Sequence, residues 1–403
     1  MILFSGTILF IILFSSCNTG QIQSNDSVSG QEVKPVITGA EQTEKWFPLV
    51  QNKRIGLIAN QTSMAGTQHL VDLLYDSGFN LVRIFGPEHG FRGEAADGAW
   101  VENQPDIKTG IPVISLYGSR RKPTDEDLHG LDVIIFDIQD VGTRFYTYIS
   151  TMTYAMEACA AINIEFLVLD RPNPNGDFVD GPVLEPKHSS FVGLHQVPVV
   201  HGMTVGEYAQ MVNEEGWLQK GLKCSLTVIP VKNYTHLTNY DLPVAPSPNL
   251  PNMTAIYLYP SLCFFEGTII SIGRGTEWPF QVAGHPEFTP GSVAFHPVNI
   301  PGIAKNPPHH GKECFGVSYV DFAETVVKKE RRIHLEPLIT FYQFFKDRDD
   351  FFSPYFEKLA GTDRLRKQVM AGETEENIRK SWEKEISEFR MIRKKYLLYP
   401  DFE

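Results

Sequence analysis

A chain of 403 residues with a formal net charge of −12 is longer than one hydrophobic core usually organises, so two domains are expected. The acidic balance and the absence of any basic run of five or more residues argue against nucleic acid as a partner, because phosphate contact demands a cationic face. Five cysteines with no CxxC or Cys/His cluster give neither a structural zinc site nor a disulfide framework, and Cys159, Cys224, Cys263 and Cys314 are expected as buried free thiols.

In chain order, Met1 to Phe14 is almost wholly apolar and leads into Ser15, Ser16 and Cys17. A stretch of this length falls short of the roughly 20 residues a membrane-spanning helix needs, so it reads as a cleaved export signal. Phe14-Ser-Ser-Cys17 resembles a permissive bacterial lipobox. That implies removal of residues 1–16, acylation of Cys17 and an exported protein held at a membrane by its lipid; an unlipidated secretory peptide is the competing reading. Residues 17–36 are expected to form a flexible tether, being rich in Ser, Gln, Asn and Gly and too poor in apolar surface to offset the entropy of ordering.

Short apolar runs with strand character follow at Arg54–Asn60, Leu81–Phe85, Pro112–Tyr117, Asp132–Asp137 and Glu165–Asp170. Helical patterns lie between some of them, at His69–Asp76 and Thr151–Ile162, and Thr204 with Glu207 fits a capping box that opens a further helix ending at Gly216. This alternation predicts an α/β protein whose first domain, residues 37–245, is a Rossmann-like parallel sheet covered by helices. A Pro-rich passage, Pro243–Pro251, marks the boundary to a smaller α+β domain, residues 246–403, expected to close the cleft. There, Ile378, Trp382, Ile386, Phe389, Ile392 and Tyr396 recur at helical spacing and read as core.

Ligands of doubly wound sheets collect beyond the carboxyl ends of the strands, so the polar residues that follow each apolar run are the site candidates. Gly86-Pro-Glu-His-Gly-Phe-Arg-Gly93 presents Glu88, His89 and Arg92. Asp137-Ile-Gln-Asp-Val-Gly-Thr-Arg-Phe-Tyr146 presents Asp137, Asp140, Arg144 and Tyr146, and the run from Asp170 presents Asp170 and Arg171. Two carboxyl groups flanking a glycosidic bond are what acetal hydrolysis requires. Glu88 between Pro87 and Phe91 suits the acid, and Asp137 beside Arg144 suits the ionised partner. Each acid also reads as a loop cap or ion-pair partner, and spacing leans that way for Asp140 and Asp170.

His201, at a helix entry, reads as a hydrogen-bonded structural residue, although Glu88, His89, Asp137 and His201 are the first set to suspect for a metal. No HExxH or paired histidine spacing supports a metal, and no GxGxxG or P-loop supports a nucleotide, so no cofactor is expected. Further on, Phe265-Glu-Gly-Thr268 and Ser271 through Phe280 gather Glu266, Arg274, Glu277 and Trp278 around glycines, a binding-loop composition; Arg274 or Arg144 is expected to grip an anionic group. Asn249 completes the substrate-binding candidates.

Gly56-Leu-Ile-Ala-Asn-Gln-Thr62, Phe85 through Gly93, Asp137 through Tyr146, Asp170-Arg-Pro-Asn-Pro-Asn-Gly176 and Phe265 through Phe280, taken as an ordered set, resemble the exo-acting β-N-acetylmuramidases, long classed only as a domain of unknown function. The resemblance implies a Rossmann-like catalytic domain closed by a smaller one, release of N-acetylmuramic acid from non-reducing ends of muramyl-glucosamine saccharides derived from peptidoglycan, and a catalytic Glu88. It leaves the second carboxylate open between Asp137 and Glu266. The competing functions are a metal-dependent hydrolase of cell-envelope substrates and a non-catalytic wall-sugar-binding lipoprotein.

Overall fold

The computed structural model describes residues 34–88, 90–92, 105–118 and 120–403; the leader, Cys17, most of the tether and His89 lie outside the described residues. Strand β1 (Ile55–Ala59) is followed by a short hairpin, β2 (Met64–Ala65) and β3 (Gln68–His69), then by β4 (Leu81–Gly86), β5 (Val113–Ser115), β6 (Val133–Asp137), β7 (Glu165–Leu169) and β8 (Leu226–Ile229). Apart from the hairpin they form one six-stranded sheet in the order β5-β4-β1-β6-β7-β8, parallel throughout. The chain thus runs outward from β1 to one edge and returns to build the other half, and the order reverses between β1 and β6, the position where such sheets open a crevice.

The strands read as unbroken apolar runs because both faces are covered. Alternate side chains separate into two cores: Leu57, Ile135 and Leu167 pack with Trp46 of α1 (Thr43–Val50) and Leu70 of α2 (Leu70–Asp76) on one face. Ile58, Ile134, Phe136, Phe166 and Val168 pack on the other, against Met152 and Met156 of α4 (Tyr148–Ala161) and Tyr208 and Met211 of α5 (Val205–Glu214). A one-turn helix, α3 (Asp125–Leu128), links β5 to β6 and is closed by reciprocal bonds between Thr124 and Asp127. The second core continues past α6 (Met253–Leu262) into the C-terminal half, where Phe264, Phe265, Phe341, Phe351 and Phe356 are fully buried. That half carries a three-stranded antiparallel sheet, ordered β10-β11-β9, from β9 (Val282–His285), β10 (Val293–Phe295) and β11 (Cys314–Ser318), together with helices.

The capping box at Thr204 and Glu207 is present with both reciprocal bonds, and the four described cysteines are buried free thiols. Two expected helices differ in extent. The segment expected at Thr151–Ile162 begins one turn earlier, after Thr147. The long pattern from Ile378 to Tyr396 breaks at Ser381, whose hydroxyl donates to the Ile378 carbonyl at 2.6 Å, so the chain restarts as a separate helix at Glu383. A local side-chain bond competes with the helical ladder there, while Ile378, Trp382, Ile386 and Phe389 remain buried as a core stripe.

Candidate active site

Glu88 lies two residues past β4. The turn that presents it closes with Gly90 donating its N–H to the Pro87 carbonyl at 3.0 Å, and Gly90 takes a φ of 75°, a conformation that costs glycine nothing. The half-buried carboxyl accepts a hydrogen bond at Oε2 from the Thr147 hydroxyl at 3.2 Å, and Thr147 is the residue from which α4 starts. The acid is therefore seated against a helix N-terminus delivered by the loop after β6. No cation bonds it among the described residues.

Glu266 comes from a different part of the chain, a 3-10 turn at Cys263–Gly267 that follows α6. Its Oε1 accepts from Arg274 Nη1 at 2.8 Å, and Arg274 sits between Gly273 and Gly275, both at positive φ. The turn is held in place because Gly267 abuts the Phe356 backbone, where a Cβ would approach Phe356 Cα to 2.4 Å. Glu88 and Glu266 face one cleft of about 290 Å³, whose walls carry the aromatic side chains of Tyr117, Phe145, Tyr146, Tyr148, Phe191, Tyr259, Phe280 and Tyr355. Burial and the nearby Glu88 carboxylate hold the Tyr148 hydroxyl well above the ordinary tyrosine range. Burial, Glu266, Cys263 and Glu88 do the same for Tyr355. Both phenols are protonated at neutral pH, as ordinary tyrosines are, and can donate a hydrogen bond.

Of the residues expected from sequence, the cleft brings together Glu88, Tyr146, Asn249, Glu266 and Arg274. Tyr146 is fixed by donating its hydroxyl to the Pro246 carbonyl at 2.7 Å, and Asn249 by donating Nδ2 to the Ile303 carbonyl at 3.0 Å. The other described candidates do not line it. Asp137 is fully buried and accepts a two-pronged bond from Arg171, 2.6 Å to Nε and 2.9 Å to Nη2. Arg171 also donates to the Met64 carbonyl, so the pair ties β6 to the β2–β3 hairpin instead of meeting a substrate. Arg144 is likewise sequestered, donating to the carbonyls of Pro182, Val197 and Leu359, and cannot grip an anion as expected.

Asp170 accepts from the Thr204 and Tyr399 hydroxyls and the Gly206 N–H, an arrangement that ties the end of β7 to α5. His201 is buried, accepts from the Met203 N–H at 3.2 Å, and is pushed by burial, then by Arg393 and Arg144, to a pKa of about 3; it is neutral and structural. Arg92 bridges Asp72 and Asp106, and Glu277 stands exposed away from the cleft. Of the set suspected for a metal, Asp137 is taken up by Arg171 and His201 is enclosed, and His89 lies outside the described residues. Among the described residues, Glu185, His188 and Asp363 alone group closely enough to hold an ion, and Lys187 already pairs with both of those acids.

Asp140 accepts from the Gly142 N–H at 2.7 Å, and burial raises its pKa from 3.8 to about 7. The folded chain therefore holds a proton that the unfolded chain gives up near pH 4. This group's contribution to stability is fully present below that pH and is lost as pH rises to about 7, a change on the order of 4 kcal/mol. Asp140→Asn keeps the acceptor for Gly142 and removes the titration, so a melting-temperature profile from pH 5 to 8 should fall less steeply in the variant; parallel profiles would rule Asp140 out as the cause.

With this geometry in view, two family models account for most of the chain: exo-β-N-acetylmuramidase NamZ, N-terminal, over residues 55–254, and its C-terminal counterpart over residues 257–399. The chain belongs to the exo-β-N-acetylmuramidase family. The peptidoglycan β-N-acetylmuramidase NamZ of Bacillus subtilis (strain 168) is 42% identical to it over 372 residues, 87% of this chain and 88% of that protein. Two DUF1343 family proteins of Bacteroides fragilis NCTC 9343 share the fold. One superposes with a TM-score of 0.85 at 50% identity, covering 91% of this chain and 100% of the other; the second gives 0.76 at 31%, covering 90% and 99%. Within this exo-β-N-acetylmuramidase, the cleft residues that sequence reasoning missed are chiefly Tyr117 and Arg121 beyond β5, and Tyr355. Tyr117 and Arg121 follow Val113–Ser115 as Glu88 follows β4 and Tyr146 follows β6, so the same strand-end rule reaches the first two. Tyr355 carries no local signal.

Proposed function

We propose that this chain is an exo-β-N-acetylmuramidase that hydrolyses the bond joining a non-reducing terminal N-acetylmuramic acid to the next sugar of peptidoglycan fragments, with Glu88 as general acid and Glu266 as the second carboxylate. The observation that carries the reading is the pairing of these two carboxyl groups, from separate halves of the chain, in one aromatic-walled cleft. Its volume of about 290 Å³ lies at the small end of ligand sites, ~300–1,000 Å³, which suits one terminal sugar and therefore exo action. The partners of the two acids divide the roles. A guanidinium beside Glu266 suits a residue that works as an anion, as nucleophile or as base toward water; a neutral hydroxyl beside Glu88 suits one that carries a proton to the leaving oxygen. Tyr148 and Tyr355 supply donors along the walls, and the ring faces give the sugar an apolar platform.

The first seventeen residues support export and a lipid anchor at Cys17 as part of the same proposal. One experiment tests activity and location together: membranes from cells expressing the full chain are incubated with a muramyl-glucosamine disaccharide or its glucosaminyl-muramyl isomer, and products are read by mass spectrometry. Only the former should be cut, by activity that sediments with the membranes. Equal cleavage of the isomer rules out the assigned bond, and wholly soluble activity rules out the anchor.

A further inference from the structure

The loop after β5 carries three cations in succession, Arg120, Arg121 and Lys122, and the structure treats the middle one differently. Arg120 pairs with Asp127 of α3, and Lys122 reaches Glu157 on α4 at 2.8 Å. Both ion pairs pin the backbone on either side of Arg121. Arg121 itself has no carboxylate within ion-pair distance among the described residues. Its Nε donates to the Gly118 carbonyl at 3.1 Å, and its guanidinium lies 4.3 Å above the Phe191 ring. Phe191 in turn stacks on Tyr154 of α4, centroids 5.9 Å apart and planes within 25°. The guanidinium is thus oriented by a three-layer stack anchored on the helix whose first residues seat Glu88, while its two terminal nitrogens hold no protein partner among the described residues.

This cation lines the same cleft as Glu88 and Glu266. In a chain at −12, a cleft with two acids opposes the entry of an anion unless a local cation offsets them. Arg274 is engaged by Glu266 and Arg144 is sealed in the interior, which leaves Arg121 as the cleft guanidinium with an open fork of donors. A flat, two-nitrogen donor edge is complementary to a carboxylate. What distinguishes N-acetylmuramic acid from N-acetylglucosamine is a carboxylate, on the lactyl ether at the sugar's third carbon. We infer that Arg121 recognises the lactyl carboxylate of the terminal sugar and sets the selectivity of the cleft for muramyl over glucosaminyl ends. The inference rests on the exo-muramidase reading given above.

The test compares a nitrophenyl β-N-acetylmuraminide with the same compound esterified at its lactyl carboxyl by a methyl group. Wild-type kcat/KM should favour the free acid by roughly 10- to 100-fold, the range expected for a charge-assisted pair. Arg121→Met should lose about that factor on the acid, mostly through KM, lose far less on the ester and keep its melting temperature; Arg121→Lys should recover part of the loss on the acid. A wild type that does not distinguish the two compounds, a Met variant with normal rates on the acid, or one weakened equally on both overturns the assignment to Arg121. A wild type that releases nitrophenol from neither compound removes the muramidase reading itself, and this inference with it.

Discussion

Glu88→Gln should release N-acetylmuramic acid from a muramyl-glucosamine disaccharide about 10²- to 10⁴-fold more slowly than wild type, with KM little changed, since general acid catalysis contributes on that scale. The amide keeps the shape of the side chain and can still accept from the Thr147 hydroxyl, which now sits 3.2 Å from Oε2. What it loses is the proton for the departing sugar oxygen. A leaving group that needs no proton shows whether this is the cause. With a nitrophenyl muraminide the variant should recover most of the rate of sugar departure. An equal loss on both substrates would mean that Glu88 holds the substrate and does not protonate it, and an undiminished rate on the disaccharide would remove it from the chemistry.

For the second carboxylate, Glu266→Gln should abolish turnover on both substrates to a similar degree, because an anion is needed at the reacting carbon, or at its attacking water, however good the leaving group. Asp137→Asn supplies the contrast. It removes the charge that holds the buried Arg171 and should cost about 3–5 kcal/mol of stability, the usual penalty for an orphaned buried ion. The fraction that stays folded should nevertheless turn over near the wild-type rate. A folded, inactive Asp137→Asn beside an active Glu266→Gln would exchange the roles assigned here.

Much of the architecture was legible from the order of residues. Apolar runs of strand length alternating with amphipathic segments specify a parallel sheet covered on both faces, because a strand buried on both sides must be apolar at every position. The glycines around Glu88 marked a turn at the end of β4, and the same local chemistry identified the capping box at Thr204. The β8 strand, Leu226–Ile229, went unread because three of its four residues are only half-buried or exposed, and its pattern is correspondingly weak.

Which polar residue at a strand end meets the cleft is a different kind of information. Side chains alternate along a strand, so Asp137 shares the face of Val133 and Ile135, packed toward α1 and α2, whereas the cleft lies on the face of Ile134 and Phe136, with Phe145 and Tyr259. Sequence holds that alternation but not which face opens. Arg144 and Leu359 are 215 positions apart, and the carbonyls that sequester this arginine, like the turn that brings Glu266 opposite Glu88, arise from packing between segments with no local relation. Burial periodicity is a property of each element and is written along the chain. The partner of a charge is set by whatever the folded core carries to within hydrogen-bond distance of it, and that meeting exists in three dimensions alone.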